Sequence, residues 1–106
     1  PVQEIEEVLD NLIDSFETQE PIIIVTDIPG GSTTQTAIKQ IEKRDNIYVV
    51  TGMNLGLVMS LSFLNLTSNK ENTEGINEAI EETKNGMYLV EDMFNTMDEI
   101  TDDGDL

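Results

Sequence analysis

Two short β-branched runs, separated by a segment of helix length, constrain the fold of this chain more than any other feature. Residues 22–25 read Ile-Ile-Ile-Val, and residues 47–50 read Ile-Tyr-Val-Val. Apolar runs without polar alternation are typical of strands covered on both faces, as in parallel sheets. A parallel pair of strands needs a crossover connection, and the intervening segment is long enough for one helix. We therefore predict a parallel sheet.

Helices are predicted around these strands. Apolar residues recur at helical spacing near the amino terminus, and Ser32 with Gln35 forms a Ser-x-x-Gln capping box at the start of the connecting segment. The predicted helices cover residues 2–16, 32–44, 54–66 and 72–88, with an extension of the last to residue 97 left open. This alternation predicts an α/β fold, an open and mainly parallel sheet with helices on both faces.

Length and composition limit the class of protein. A chain of 106 residues predicts one domain, here 1–100, followed by an acidic tail, 101–106, that we expect to be disordered. The absence of Cys and His excludes disulfides and Cys/His metal sites, and no metal site is predicted. No run is long enough to span a bilayer and no signal segment opens the chain, so a cytoplasmic protein is expected. A formal net charge of −17 argues against nucleic acid as a partner.

The charges are unevenly distributed. Residues 1–20 carry acidic groups and no basic one, and we interpret them as a solvated helix face rather than a metal site. Lys39, Lys43 and Arg44 form the densest basic cluster. That cluster is either favourable charge at a helix carboxyl terminus or a docking point for an acidic partner.

Candidate functional residues follow both strands. Asp27 and Thr51 stand at the carboxyl ends of the predicted strands, where sites in open parallel sheets collect. Because Asp27 directly follows an apolar strand, we expect its carboxylate to be partly desolvated and close to the positive end of the helix that begins at Ser32.

The Gly-Gly turn after Asp27 suggests an anion cradle. Gly30 and Gly31 permit positive φ values and close backbone approach, so the amides of Gly31, Ser32 and Thr33 can face a phosphoryl group. The alternative is a strand-end Asp that caps a turn, followed by a bend that only connects two elements. The spacing of a P-loop and that of a dinucleotide fingerprint are both missing.

Two motifs at a fixed separation resemble a known family. Residues 23–32, Ile-Ile-Val-Thr-Asp-Ile-Pro-Gly-Gly-Ser, and residues 49–55, Val-Val-Thr-Gly-Met-Asn-Leu, are similar to the mannose-family enzyme IIA domain of the bacterial sugar phosphotransferase system. The resemblance extends to about residue 95. It implies a domain that takes a phosphoryl group from the phosphocarrier HPr and passes it to an enzyme IIB partner through an active-site His, without a cofactor. It also implies a homodimer that meets the membrane only through transporter subunits.

The resemblance assigns roles to residues of this chain. Asp27 matches the carboxylate that orients the catalytic imidazole, while the remaining matches form the phosphoryl-binding turn, Gly30, Gly31 and Ser32, and the border of the site, Thr26, Thr51, Asn54 and Leu55. The family His ends a strand that precedes the residues matched by Pro1 and Val2, and we expect this sequence to lack that strand, so the phosphoacceptor cannot be named here.

Three departures from the family pattern keep other functions open. Thr33 stands where the family usually has Pro, and Gln35 stands where it frequently has Asn. Gly56 replaces the Pro that follows Asn-Leu in the family. The alternatives are an enzyme IIA-like regulatory domain of a transcription regulator and a noncatalytic interaction module.

Overall fold

The computed structural model describes residues 2–16 and 20–94 of the chain. Its elements in chain order are α1 (Val2–Asp14), β1 (Ile22–Thr26), α2 (Ser32–Lys43), β2 (Ile47–Thr51), α3 (Leu55–Ser62) and α4 (Asn69–Asn85). Residues 90–94 are also helical. The predicted disordered tail lies outside the described residues. No helix in the described part of the chain is both long and apolar enough to cross a membrane.

The two strands form the predicted parallel sheet. Their register pairs Ile22 with Ile47 and continues residue by residue to Thr26 with Thr51. In the described residues the sheet contains only these two strands, so each strand has an outer edge without a strand partner there. Strand direction and pairing therefore agree with the prediction from the β-branched runs.

The core lies on one face of this sheet. It combines β2 with α3 and α4, and its buried members are Val50, Leu57, Leu61, Ile76 and Ala79. Ile23 and Val25 of β1 pack against this cluster. Because side chains alternate along a strand, Ile24 and Thr26 face the other side, where α2 contributes the buried Ala37.

Ion pairs join α1 to α2, an arrangement the sequence analysis did not anticipate. Three acidic residues of α1 pair with three basic residues of α2 and its carboxyl-terminal cap at 2.6–3.6 Å: Glu6 with Lys39 and Lys43, Asp10 with Lys43 and Arg44, and Asp14 with Arg44. Glu6 and Asp10 are therefore only partly solvated, at 25% and 29% side-chain exposure, whereas Asp14 is exposed as expected, at 65%. Their basic partners are thus engaged in ion pairs with α1.

A buried amide organises this array. Gln40 is fully buried, donates through Nε2 to Asp10 Oδ1 at 2.8 Å, and accepts at Oε1 from Arg44 Nε at 2.9 Å. The hydrogen bond from Gln40, with contributions from Lys43 and Arg44, lowers the pKa of Asp10. The hydrogen bond from Lys43 and the nearby charge of Lys39 lower the pKa of Glu6. Both carboxylates are thus held in their charged form.

Several predicted helix ends were wrong. α3 ends at Ser62 rather than Leu66, and α4 begins at Asn69 rather than Asn72. Ser68 caps α4 by accepting from the Glu71 amide at 3.4 Å, so the segment predicted as a loop contains the real helix start. Buried Asn72 accepts the Thr67 amide at 2.6 Å and holds the preceding loop in place.

The carboxyl-terminal end of α4 was also predicted too far along the chain. The helix ends at Asn85, with Gly86 as its cap, and not near Tyr88. A continuous helix beyond Gly86 is therefore wrong for the described residues, although 90–94 are helical again. Residues 95–97, to which the extension was left open, lie outside the described residues.

Candidate functional site

The carboxyl ends of β1 and β2 bring the two sequence motifs together. Thr26 and Thr51 are partners in the strand register, so Asp27 and Gly52 leave the sheet side by side. The Met53 amide donates to the Thr26 carbonyl at 2.9 Å and ties the second loop to the end of the first strand. The residues predicted from separate motifs thus border one end of the sheet.

A tight turn follows Asp27. The Gly31 amide donates to the Ile28 carbonyl at 3.2 Å, with Pro29 and Gly30 between them. Gly30 has φ +76°, the conformation that a type II turn requires at its third residue, and Pro at its second residue is typical of the same turn. Gly31 is extended, with φ −70° and ψ 164°. The positive φ foreseen for the Gly-Gly pair therefore belongs to Gly30 alone.

This turn changes how α2 begins. Gly31, and not Ser32, is the N-cap residue, and it makes no side-chain cap hydrogen bond. The predicted capping box is therefore wrong, because the turn moves Ser32 into the first helical position. Instead, the side-chain Nε2 of Gln35 donates to the Gly30 carbonyl at 3.1 Å.

The amide donors at the start of α2 differ from the predicted set. Gln35 makes the first intrahelical bond, from its amide to the Gly31 carbonyl at 2.9 Å. The amides of Ser32 and Thr33 come before it and have no intrahelical acceptor, whereas the Gly31 amide is used within the turn. Ser32 and Thr33 are exposed, so their amides are placed to donate to an anion at the positive end of the helix.

Asp27 is exposed at this junction. The partial desolvation expected from its place after an apolar strand is therefore not found in the described structure, in which Thr26 is buried and residues 27–30 are exposed. An exposed carboxylate here can accept a hydrogen bond from a group that approaches the end of the sheet.

The second loop contains a helix cap. Asn54 caps α3, because its Oδ1 accepts from the Leu57 amide at 2.9 Å. Leu55 is 75% exposed and Thr51 is exposed. The side chains of Leu55 and Thr51 are therefore exposed at the edge of the candidate site, whereas the side-chain oxygen of Asn54 is used to cap α3.

A pair of buried hydroxyls was missed by the sequence analysis. Thr34 Oγ1 lies 2.6 Å from the Ile28 carbonyl oxygen and 2.8 Å from Thr26 Oγ1. Thr26 and Thr34 are both buried, at 8% and 4% exposure. No spacing rule identifies such a pair, because the contact depends on how the turn folds back over the first turn of α2. Among the described residues, no group of three or more His, Cys, Asp or Glu side chains is placed to hold a metal ion.

Comparisons with known proteins agree with this architecture. Residues 1–74 match the family profile EIIA-man, described as the PTS system fructose IIA component. No curated protein matches the sequence.

Two solved structures are similar to the chain. One is the phosphotransferase system component EIIA from Streptococcus agalactiae, with 18% identity, a TM-score of 0.66 and coverage of 86% of this chain and 68% of that one. The other is the PTS IIA protein associated with the fucose utilization operon from Streptococcus pneumoniae, with 26% identity, a TM-score of 0.60 and coverage of 88% and 62%. The chain thus spans about two thirds of each, and the first likeness concerns the fold alone. Since the family profile covers well over half of the sequence, the chain belongs to the mannose-type EIIA family of the phosphotransferase system.

Proposed function

We propose that this chain is a phosphoryl-transfer component of the phosphotransferase system, and that its described residues form the carboxylate and amide side of a phosphohistidine site. One observation carries the proposal. Asp27 and the first-turn amides of α2 share the carboxyl end of a parallel sheet in a member of the EIIA family. A hydrogen-bond acceptor beside a cluster of amide donors suits an imidazole that carries a phosphoryl group.

The proposed chemistry uses the two kinds of group differently. Asp27 accepts a hydrogen bond from one imidazole N–H, which fixes the tautomer and leaves the other ring nitrogen free to attack phosphorus. The phosphorus–nitrogen bond of the phosphocarrier breaks as the new one forms. The amides of Ser32 and Thr33 donate to the phosphoryl oxygens during the transfer. Transfer to an enzyme IIB partner repeats these steps in the reverse direction.

The imidazole belongs to residues outside this sequence, which contains no His. The outer edge of β1, unpaired in the described residues, ends at Thr26 beside Asp27. A parallel strand added at that edge would end close to the Asp27 carboxylate. This geometry supports an acceptor brought in by strand pairing.

The test uses the full-length product of the gene that encodes these residues. With phosphoenolpyruvate, enzyme I and HPr, the wild-type protein is expected to acquire a phosphoryl label that is stable in alkali and lost in acid, as on His. Asp27→Asn keeps the size of the side chain but weakens the acceptor, and we expect phosphorylation to slow about a hundredfold because the imidazole is no longer held in place. Asp45→Asn is the matched control, since Asp45 is an exposed acid at the opposite end of the sheet.

The outcomes separate the three functions. Label that passes on to an enzyme IIB protein supports the transfer component. Label without onward transfer would favour the regulatory domain, in which phosphorylation acts as a switch. A folded full-length protein that takes no label would favour the noncatalytic interaction module, and equal rates for the Asp27 and Asp45 variants would contradict the role of Asp27.

A further inference from the structure

One buried hydroxyl makes hydrogen bonds to the residues on both sides of Asp27. Thr34 Oγ1 contacts the side chain of the residue before it, Thr26, at 2.8 Å, and the carbonyl of the residue after it, Ile28, at 2.6 Å. Thr34 belongs to the first turn of α2, so this contact fixes the strand end, the turn and the helix to one another.

The hydrogen-bond directions follow from the chemistry of the groups. A carbonyl oxygen only accepts, so the single Thr34 hydroxyl proton goes to Ile28. The Thr26 hydroxyl then donates to Thr34 Oγ1. The Ile28 carbonyl also accepts the Gly31 amide at 3.2 Å, which makes it the common acceptor for helix and turn. Because Thr26 and Thr34 are almost inaccessible, water does not compete for these bonds.

We propose that Thr34 is a positioning residue that sets the direction of the Asp27 carboxylate relative to the amides of α2. The role of Thr34 in phosphoryl transfer rests on the function proposed above, whereas its hydrogen bonds to Thr26 and Ile28 are a property of the fold. Asp27 lies between the two residues that Thr34 contacts, so the Cα–Cβ direction of Asp27 depends on how Thr34 holds them. The Thr26 carbonyl extends the restraint to the second loop through the Met53 amide.

Substitutions in α2 separate this role from a general loss of stability. Thr34→Val keeps the branched shape and removes the hydroxyl, whereas Thr34→Ser keeps the hydroxyl and removes the methyl group. Thr36→Val is the matched control, because Thr36 is 1% exposed and its hydroxyl donates only to the Ser32 carbonyl of its own helix, at 2.9 Å.

The first measurement tests the effect of the Thr34 hydrogen bonds by NMR on the full-length protein and does not depend on activity. In Thr34→Val, we expect hydrogen exchange of the Gly31 amide to accelerate at least tenfold, and the backbone HN–Hα coupling constant of Asp27 to change. Thr34→Ser and Thr36→Val are expected to resemble the wild type. Unchanged exchange and unchanged Asp27 couplings in Thr34→Val would overturn the proposal.

The second measurement tests the consequence for phosphoryl transfer. With phosphorylated HPr as donor, kcat of Thr34→Val is expected to fall roughly tenfold to a hundredfold, with KM unchanged and with recovery in Thr34→Ser. If the wild type transfers and Thr34→Val transfers equally fast, Thr34 does not position the site. If the wild type takes no label, the proposed function fails, and the NMR comparison alone then decides whether Thr34 orients Asp27.

Discussion

Gly30→Ala and Gly31→Ala are expected to affect stability differently, although the two glycines are neighbours in one turn. Gly30 has φ +76°, and a Cβ added there would meet no atom within 4 Å. Its cost is therefore conformational, about 1–2 kcal/mol for an L residue in the left-handed region. The loss of backbone freedom in the unfolded chain offsets about 0.4–1 kcal/mol of that cost. The net destabilisation is about 1 kcal/mol.

At Gly31 there is no left-handed strain, and two smaller terms nearly cancel. Its φ of −70° suits any residue, and an added Cβ would lie 3.4 Å from the Ile28 carbonyl oxygen, an ordinary contact. Ala is a poorer N-cap than Gly by roughly 0.5 kcal/mol, and the reduced freedom of the unfolded chain returns a similar amount. We therefore expect Gly31→Ala to change the free energy of unfolding by less than about 0.5 kcal/mol.

Thermal and urea unfolding of the full-length protein would measure both effects. Gly30→Ala is expected to lower Tm by about 3–8 °C with an unchanged m value, and Gly31→Ala to leave Tm nearly unchanged. Gly52→Ala serves as a second reference, because Gly52 has φ +91° and also has open space around it, so its loss should resemble that of Gly30→Ala. A larger loss for Gly31→Ala than for Gly30→Ala would refute this account of the turn.

Two further predictions concern charge and assembly. The pKa values of Glu6 and Asp10 are lowered in the folded chain, so both groups stabilise it fully above about pH 4.5, and this stabilisation is lost as pH falls through their folded values. Tm measured from pH 3 to 7 should therefore fall on the acid side, and the fall should be shallower in Lys43→Met; identical profiles would contradict the role of the ion pairs. We also expect a homodimer in solution, because an open strand edge invites cover by another chain, and light scattering that gives a monomer mass at every concentration would exclude it.

The sequence was sufficient for the elements whose signals are local. The β-branched runs gave both strands within one residue, and the amino-terminal start of α2 at Ser32 was correct. The N-cap was nevertheless assigned to the wrong residue, since Ser32 and Gly31 are both good caps and the choice depends on the turn that precedes them. The start of α4 was missed although Ser68 and Glu71 have capping-box spacing, because the polar composition of that segment was read as a loop.

Contacts between distant segments were outside the reach of such reasoning. The ion pairs between α1 and α2 join residues 30 or more positions apart, and periodicity shows only that α1 has an acidic side. The structure brings the predicted site residues together at the strand ends, but which amides are available as donors depends on hydrogen bonds within the turn. The Gly31 amide was expected to be available to an anion, but it donates to the Ile28 carbonyl within the turn.

The placement of the basic residues determines what the candidate site can offer a phosphoryl group. Lys39, Lys43 and Arg44 contact α1, and Lys84 pairs with Glu81 near the carboxyl end of α4. The remaining cation, Lys70, lies in the first turn of α4, next to Asn69, which accepts the Tyr48 hydroxyl near the amino end of β2. The described loops after β1 and β2 contain no Lys or Arg. In the described part of the chain, therefore, the charge of a phosphoryl group at this site would be met by the amides and dipole of α2, which act over short distances and depend on the geometry that the turn and Thr34 maintain.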